Sequence, residues 1–330
     1  MALALNGLFN KRARALTRAK LRAWWEGEAY DETAALAALA ANDTGGADED
    51  LFDPPPFEMP PRLAALGVLW GAGRVRPGDA EGEAAEAARI GAAPEGRVAV
   101  LGPGREAPIA AFAGAHAGPI DVFEWREETF EALKYGVAKA QLDARVSVAR
   151  IDLEAHVWQP ASFDGLWSID DFAYCSFPPH LSQQIMKALK PGACAVVEAY
   201  VGVRTADFAT AFASSFAEPQ VRAHGDLLQV FADTGLQLEA DEDITEHFLA
   251  LARASFKQMG ERMEEAAKLD VAAVRELAWE AEAWRMRMKL LAQRRLERRR
   301  FVLRKPADGA AAPETPAPEA QAGNENAPAD

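Results

Sequence analysis

A short apolar run that ends in Gly-Pro-Gly is the feature that most restricts how this chain can fold. Val98 to Leu101 is uniformly apolar, and Gly102-Pro103-Gly104 follows it directly. Such a run is typical of a buried strand, and paired glycines allow a tight turn that a ligand can approach closely. The Ala-rich segment from Pro108 predicts a helix. The three parts together predict a strand, a glycine turn and a helix N-terminus, as in nucleotide sites of doubly wound sheets.

Strands and helices alternate after this turn. Ile120 to Glu124 predicts a second strand, and its acid lies 22 residues after Gly102. At that distance a carboxylate can accept hydrogen bonds from ribose hydroxyls. Further strands are predicted at residues 146–151, 163–168 and 193–200, separated by helices with one apolar face. This alternation predicts a parallel sheet with right-handed crossovers.

The ordered motifs resemble those of class I S-adenosylmethionine (SAM) dependent methyltransferases. The resemblance covers roughly Trp70 to Lys305 and is carried by Val98 to Gly104, Val122 to Glu124, Ile151-Asp152, Phe163 to Ser168 and Ala188 to Ala193. Residues 69–78 and 299–305 are similar to the segment before the first strand and to the last strand of small-molecule methyltransferases. The resemblance implies an α/β fold with a Rossmann-like, doubly wound sheet of seven strands, the last antiparallel.

The resemblance also implies a set of site residues. The residues expected to bind the cofactor SAM are Gly102, Gly104, Glu124, Asp152, Leu153 and Asp170. The candidates for a catalytic group are Asp170, Tyr174 and His180. Methyl transfer from a sulfonium needs alignment and exclusion of water, and a base only if the nucleophile arrives protonated. A triad is therefore not required. The alternative roles are a helix cap for an aspartate and a structural role for a lone histidine.

Two positions depart from the pattern of that family. Val100 stands where an acid is usual, two residues before the first glycine, and Glu106 stands where a third glycine is usual. The missing acid would contact the methionine end of SAM or order the turn. Both departures favour a protein that keeps the methyltransferase fold but has lost catalysis and acts as a regulatory or scaffolding partner.

The first hypothesis remains an enzyme that transfers a methyl group from SAM to a small-molecule nucleophile. The acids at Glu124 and Asp152 favour it over the degenerate partner. A third hypothesis, an NAD-dependent dehydrogenase, fits less well, because the third glycine is absent and the C-terminal half matches the methyltransferase layout.

The remainder of the chain divides into extensions and insertions. A helical extension and an acidic, Pro-rich linker are predicted at residues 1–61. The methyltransferase-like domain is predicted at residues 62–305, with a helical insertion at about 242–297. A disordered tail is predicted at residues 306–330. The basic helix at residues 8–28 carries Trp24-Trp25. It is interpreted as a solvated helix whose Trp residues pack on the core, or as a cover over the cleft, a partner-binding helix or a membrane-surface helix. The long helix predicted from residue 271 is a candidate core element or dimer contact.

The composition of the chain limits the kinds of molecule that it is expected to bind. The net charge of −14 argues against a general nucleic-acid binder, and no apolar run is long enough to span a bilayer. The two cysteines, Cys175 and Cys194, lack metal-ligand spacing and favour a reduced, cytoplasmic setting. The resemblance implies a small-molecule substrate. We also expect no metal, and a homodimer or protein partner bound through the N-terminal or the long C-terminal helix.

Overall fold

The computed structural model describes residues 31–35, 57–202 and 220–307. The chain forms two units, residues 1–56 and residues 57–330. In the first unit, the Asp31 carboxylate accepts hydrogen bonds from the N–H groups of Thr33 (2.9 Å) and Ala34 (3.0 Å) and so caps a helix at residues 32–35. The predicted basic helix, most of the linker and the tail from residue 308 lie outside the described residues, and the predicted domain limits stay predictions.

The second unit is built on one β-sheet. Its strands are β1 (Val98–Leu101), β2 (Ile120–Glu124), β3 (Val146–Arg150), β4 (Phe163–Ile169), β5 (Leu189–Gly202), β6 (Arg222–Ala223), β7 (Gln237–Asp243) and β8 (Leu296–Arg304). The spatial order is β3-β2-β1-β4-β5-β8-β7. Strands β1 to β5 pair in parallel, and β8 lies antiparallel between β5 and β7. The predicted Rossmann-like sheet with an antiparallel last strand is confirmed.

Two details of the sheet differ from the prediction. The two-residue strand β6 pairs with Val201 and Gly202 at the end of β5, which adds an eighth strand to the predicted seven. Strand β5 also extends back to Leu189, where the sequence predicted a helix stop at Lys190-Pro191-Gly192. A register shift between Phe163 and Gly165 of β4 accommodates this segment, because Leu189 pairs with Phe163 and the regular ladder resumes at Cys194.

Helices cover both faces and one end of the sheet. They are α1 (Pro61–Trp70), α2 (Ala80–Ile90), α3 (Glu106–Ala115), α4 (Glu127–Lys139), α5 (Pro178–Ala188), α6 (His224–Asp233), α7 (Thr245–Met259), α8 (Met263–Ala266) and α9 (Val271–Ala292), with 3₁₀ turns at Asp171–Ala173 and Gly260–Arg262. Asp79 and Asp270 cap α2 and α9 by accepting from backbone N–H groups at 2.7 Å. Within the described ranges, no helix has the length and apolar character needed to cross a bilayer.

The core has a layer on each face of the sheet. Along β1, Val98 and Val100 contribute to one layer and Ala99 and Leu101 to the other, because side chains alternate along a strand. The first layer packs against α2, α3 and α4, and the second packs against α5 and α6. Burial on both faces explains why β1 is apolar at every position.

A third apolar cluster joins α1, α7 and α9. Trp70 of α1 packs edge-on against Trp284 of α9 with ring centroids 4.5 Å apart, and Phe248 of α7 joins them. On the long helix α9, Trp284 is buried, whereas Trp279 is 56% exposed. The helices between β7 and β8 thus fold back onto the segment that precedes β1.

Candidate functional site

The glycine turn after β1 has the geometry that its sequence predicts. Gly102 and Gly104 adopt φ angles of +64° and +77°, in the left-handed region that favours glycine. A Cβ at Gly102 would overlap the Asp171 carboxylate, and a Cβ at Gly104 would overlap the side chain of Val75. Both glycines are therefore required by backbone conformation and by close packing.

Asp171 places a carboxylate against the glycine turn. Val100, which stands where an acid is usual, cannot do so. Val100 is buried in the apolar layer, so an acid there would need a partner that the layer does not offer. Asp171, fully buried, accepts hydrogen bonds from Ser168 Oγ (2.7 Å), the Ile169 N–H (3.1 Å) and the Trp125 indole N–H (2.8 Å). Burial raises the pKa of the Asp171 carboxyl to about 7. The acid of the turn comes from the end of β4.

Glu106 occupies the third-glycine position without blocking the turn. Its carboxylate pairs with the guanidinium of Arg105 at 2.8 Å. The space that it needs is provided by two other glycines, since a Cβ at Gly73 or at Gly136 would overlap the Glu106 carboxylate. The glycine missing from the motif is thus replaced by glycines on neighbouring segments.

Glu124 ends β2 and is completely buried. Its oxygens accept from the backbone N–H groups of Gly104 (3.0 Å), Trp125 (3.2 Å) and Arg126 (3.1 Å). The Arg126 guanidinium adds two hydrogen bonds to the same carboxylate, from Nε at 2.8 Å and Nη2 at 3.1 Å. Burial lowers the pKa of Arg126, but the charge and hydrogen bonds of Glu124 raise it above its ordinary value. The strand-end acid is therefore engaged by an arginine two residues further on.

Asp170 and Tyr174 follow β4 and line one cavity. Asp170 has a φ of +68° and forms an ion pair with Arg298 of β8. The Tyr174 ring lies 4.1 Å from the Trp125 ring, and both border the same space. The cavity encloses about 300 Å³. Its lining comprises Arg62, Leu63, Leu66, Val75, Arg76, Gly102, Trp125, Arg126, Glu128, Thr129, Asp170, Tyr174, Glu280, Trp284 and Arg287.

Five of the eight predicted site residues are absent from the described lining of this cavity, among them Asp152, Leu153 and His180. Asp152 is exposed and accepts from the N–H of Glu154 at 2.9 Å within its own turn. Leu153 is buried in the core layer beneath the sheet. His180 lies in the first turn of α5. The structure thus groups Gly102, Asp170 and Tyr174 around the cavity. Gly104 donates a hydrogen bond to Glu124, and the cavity-lining Arg126 covers Glu124.

Arginines form the part of the site that sequence reasoning missed. Arg76 lines the cavity and donates to the Pro103 carbonyl of the glycine turn at 3.1 Å. Burial lowers the pKa of its guanidinium below the usual value, and within the described chain it forms no ion pair. Arg62 pairs with Glu280 at 2.6 Å across α1 and α9. The sequence signals that pointed to arginines were Arg126, two residues after the strand-end acid Glu124, and the run Arg298-Arg299-Arg300 in the last strand.

A buried charge network extends from the cavity through β8. Arg298, fully buried, pairs with Asp170 and, at 3.0 Å, with Glu198. Arg300 continues the network to Glu86 at 2.6 Å. Burial and the nearby charge of Glu198 raise the pKa of Glu86 to about 7, despite the pull of Arg300.

The raised pKa of Glu86 predicts a pH-dependent stability. Between about pH 4.5 and pH 7, the folded protein holds a proton on Glu86 that the unfolded chain releases, so the free energy of unfolding falls as pH rises through this window. Relative to a Glu86→Gln variant, the wild type is expected to lose up to about 3 kcal/mol across it. Urea unfolding at several pH values measures the difference, and parallel profiles for the two proteins would contradict the assignment.

Comparisons with known proteins agree on the fold. The structure resembles phosphoethanolamine N-methyltransferase 2 of Haemonchus contortus with a TM-score of 0.64 at 21% identity, over 74% of this chain and 57% of that chain. The chain therefore spans little more than half the length of that enzyme. It resembles a putative sarcosine dimethylglycine methyltransferase of Galdieria sulphuraria with a TM-score of 0.62 at 14% identity, over 74% of this chain and 98% of that one.

A third similar structure is a protein with another named activity. The 4+2 cyclase SpnF matches with a TM-score of 0.57 at 16% identity, over 74% of this chain and 93% of that one. No protein-family model and no curated protein sequence matches the chain. The sheet order, the glycine turn and these likenesses define a class I SAM-dependent methyltransferase fold.

Proposed function

We propose that this protein is a SAM-dependent methyltransferase that acts on a small-molecule nucleophile. The observation that carries the proposal is that the ends of β1 and β4 bring Gly102 and Asp170 to one cavity, while Glu124 at the end of β2 is covered by Arg126, which lines the same cavity. This is the edge of a parallel sheet at which ligands bind. The similar structures include enzymes named for methylation of phosphoethanolamine and of sarcosine and dimethylglycine, which are small molecules.

The residues around the cavity fit the parts of SAM. The Arg76 guanidinium, in contact with the glycine turn and without a carboxylate of its own in the described chain, would bind the carboxylate of the methionine moiety. The Trp125 and Tyr174 rings offer apolar surfaces for the adenosine moiety. Glu124 would accept from the ribose hydroxyls once Arg126 has moved.

SAM supplies a methyl group on a sulfonium, which a nucleophile can attack directly. The chain's own residues orient the acceptor and exclude water. Asp170, held by Arg298, presents a carboxylate at the cavity wall that can accept a proton from the nucleophile or fix its orientation. Leu63, Leu66 and Trp284 add apolar surface to the lining of the cavity.

The hydrogen bonds that the Glu124 carboxylate accepts favour a second function. Because its oxygens already accept five hydrogen bonds from the described residues, they leave no acceptor for ribose in this conformation. A protein that kept this conformation permanently would use the fold as a regulatory or scaffolding partner instead of an enzyme. Fold likeness does not decide between the two, because a cyclase also shares the fold.

Calorimetric titration with SAM, S-adenosylhomocysteine and NAD tests the assignment. The wild type is expected to bind the first two and not NAD. Arg76→Ala is expected to weaken SAM binding about tenfold or more, since a charge-assisted hydrogen bond contributes about 1.5–3 kcal/mol. Arg97→Ala is the matched control, because the Arg97 side chain is 57% exposed, pairs with Asp121 and is absent from the cavity lining.

The titration has one contradicting outcome for each part. A folded wild type that binds no SAM at millimolar ligand would refute the cofactor assignment and favour the partner role. Unchanged affinity in Arg76→Ala would refute the carboxylate contact alone.

The location and the assembly of the protein are also proposals. Both cysteines are free and buried, and we retain the cytoplasm as the proposed location. A homodimer or a protein partner also remains a proposal.

A further inference from the structure

Arg126 and a bound ribose would require the same hydrogen-bond acceptors. A carboxylate offers about four lone-pair positions, and Glu124 already receives three backbone N–H groups and two from the Arg126 guanidinium. The backbone donors are fixed by the turn after β1 and by the start of α4. The guanidinium donors sit at the end of a flexible side chain. A ribose diol can therefore reach Glu124 only by displacing Arg126.

The position of Arg126 suits it to such an exchange. Its side chain is 27% exposed and lines the cavity, although its partner Glu124 is inaccessible. The guanidinium lies 4.3 Å from the Trp125 ring and 5.7 Å from the Tyr174 ring, and it donates to the Gly102 carbonyl at 3.3 Å. Arg126 thus covers Glu124 from the cavity side and rests on the aromatic surfaces where an adenosine moiety would lie.

A displaced Arg126 would need a new anionic partner. Among the described residues, three carboxylates line the cavity, and two of them are already engaged, Asp170 by Arg298 and Glu280 by Arg62. The third, Glu128, is exposed to solvent, where an ion pair contributes little. A guanidinium released into this partly buried space is therefore best satisfied by an anion that enters with the ligands.

We propose that Arg126 is an exchangeable ligand of Glu124, which fills the ribose position in the free protein and, once displaced by the cofactor, binds a carboxylate or phosphate group of the acceptor. The inference rests on the proposed methyltransferase function and adds the chemical class of the acceptor. It makes cofactor and anion binding cooperative, because each stabilises the displaced position of Arg126.

Titration with S-adenosylhomocysteine, which lacks the sulfonium charge, tests the proposal on the wild type. Affinity is measured with and without millimolar inorganic phosphate or acetate at constant ionic strength set by chloride. We expect either anion to tighten binding by about fivefold or more. Unchanged or weaker binding would overturn the proposal; weaker binding is the result expected if the anion competes with the cofactor carboxylate at Arg76.

Two variants separate exchange from simple support of Glu124. Arg126→Gln removes the charge but keeps an amide donor, and we expect it to bind S-adenosylhomocysteine about tenfold more tightly than the wild type and to lose the anion effect. Arg126→Lys keeps a charge and is expected to retain part of that effect. Weaker binding in both variants would show that Arg126 only braces Glu124. Arg97→Gln, the control, is expected to behave as the wild type.

The proposed function and the inference fail in distinguishable ways. If neither the wild type nor either variant binds S-adenosylhomocysteine under any condition, the methyltransferase assignment fails and the inference falls with it. If the wild type binds but shows no anion effect and no gain in Arg126→Gln, the assignment stands and the exchange is refuted.

Discussion

A chain that ends at residue 295 is expected to lose its fold completely. This truncation removes β8, which pairs with β5 on one side and β7 on the other. Phe301, Val302 and Leu303 are buried, and their burial stabilises the fold by about 5–9 kcal/mol. That is comparable with the whole net stability of a domain, about 5–15 kcal/mol. Circular dichroism and thermal melting are expected to show no cooperative transition.

The matched control for this truncation is a chain that ends at residue 307. It keeps every described strand and removes only a segment rich in Ala, Pro and Glu. Its melting temperature is expected to match that of the full chain. A cooperative melt in the protein that ends at residue 295 would show that the sheet is complete without β8 and would contradict the observed topology.

Arg298→Met is expected to lower the free energy of unfolding by about 3–5 kcal/mol. Arg298 is the shared partner of Asp170 and Glu198, and its guanidinium lies 4.6 Å from the Tyr200 ring in a fully buried position. Removing it leaves two carboxylates close together with little solvent, which is far costlier than losing a surface pair. Chemical denaturation of the wild type and the variant measures the loss.

Two comparisons identify the origin of that loss. Arg304→Met also removes an arginine from β8, but its pair with Glu239 is about 40% exposed on both sides, so the expected effect is below about 1 kcal/mol. Adding Asp170→Asn and Glu198→Gln to Arg298→Met is expected to restore much of the stability, because the unpaired charges are gone. If the triple variant were as unstable as Arg298→Met, loss of packing and not of charge pairing would be the cause.

The fold was predictable because periodicity and turn residues determine it locally. The β1 run is apolar throughout since both faces of β1 are covered, and Gly102 and Gly104 have the positive φ angles that their spacing suggested. The start of β5 was not predictable in the same way. Lys190-Pro191-Gly192 reads as a helix stop, and the irregular pairing with β4 that draws this segment into the sheet is non-local.

The site was only partly predictable from the sequence because it depends on the spatial order of the strands in the sheet. β3 is at the edge of the sheet, next to β2 and away from β4. The residue after it, Asp152, is therefore exposed and absent from the cavity lining, although its motif matched. The pairing of Arg126 with Glu124 was missed for another reason. The sequence spacing identifies an acid at a strand end. It does not show that a neighbouring arginine side chain hydrogen-bonds to that acid, because this depends on side-chain geometry.

The space that Gly136 leaves for Glu106 affects which substitutions homologues of this chain can carry at these two positions. Its carboxylate occupies space that a side chain at position 136 would otherwise fill, so the two positions share one volume across α3 and α4. Evolution is therefore expected to change them together: a homologue with glycine at position 106 has room for alanine at position 136, whereas one with glutamate at 106 must move that side chain to admit it. A pair of substitutions far apart in sequence would then mark this branch of the fold more reliably than the glycine motif does.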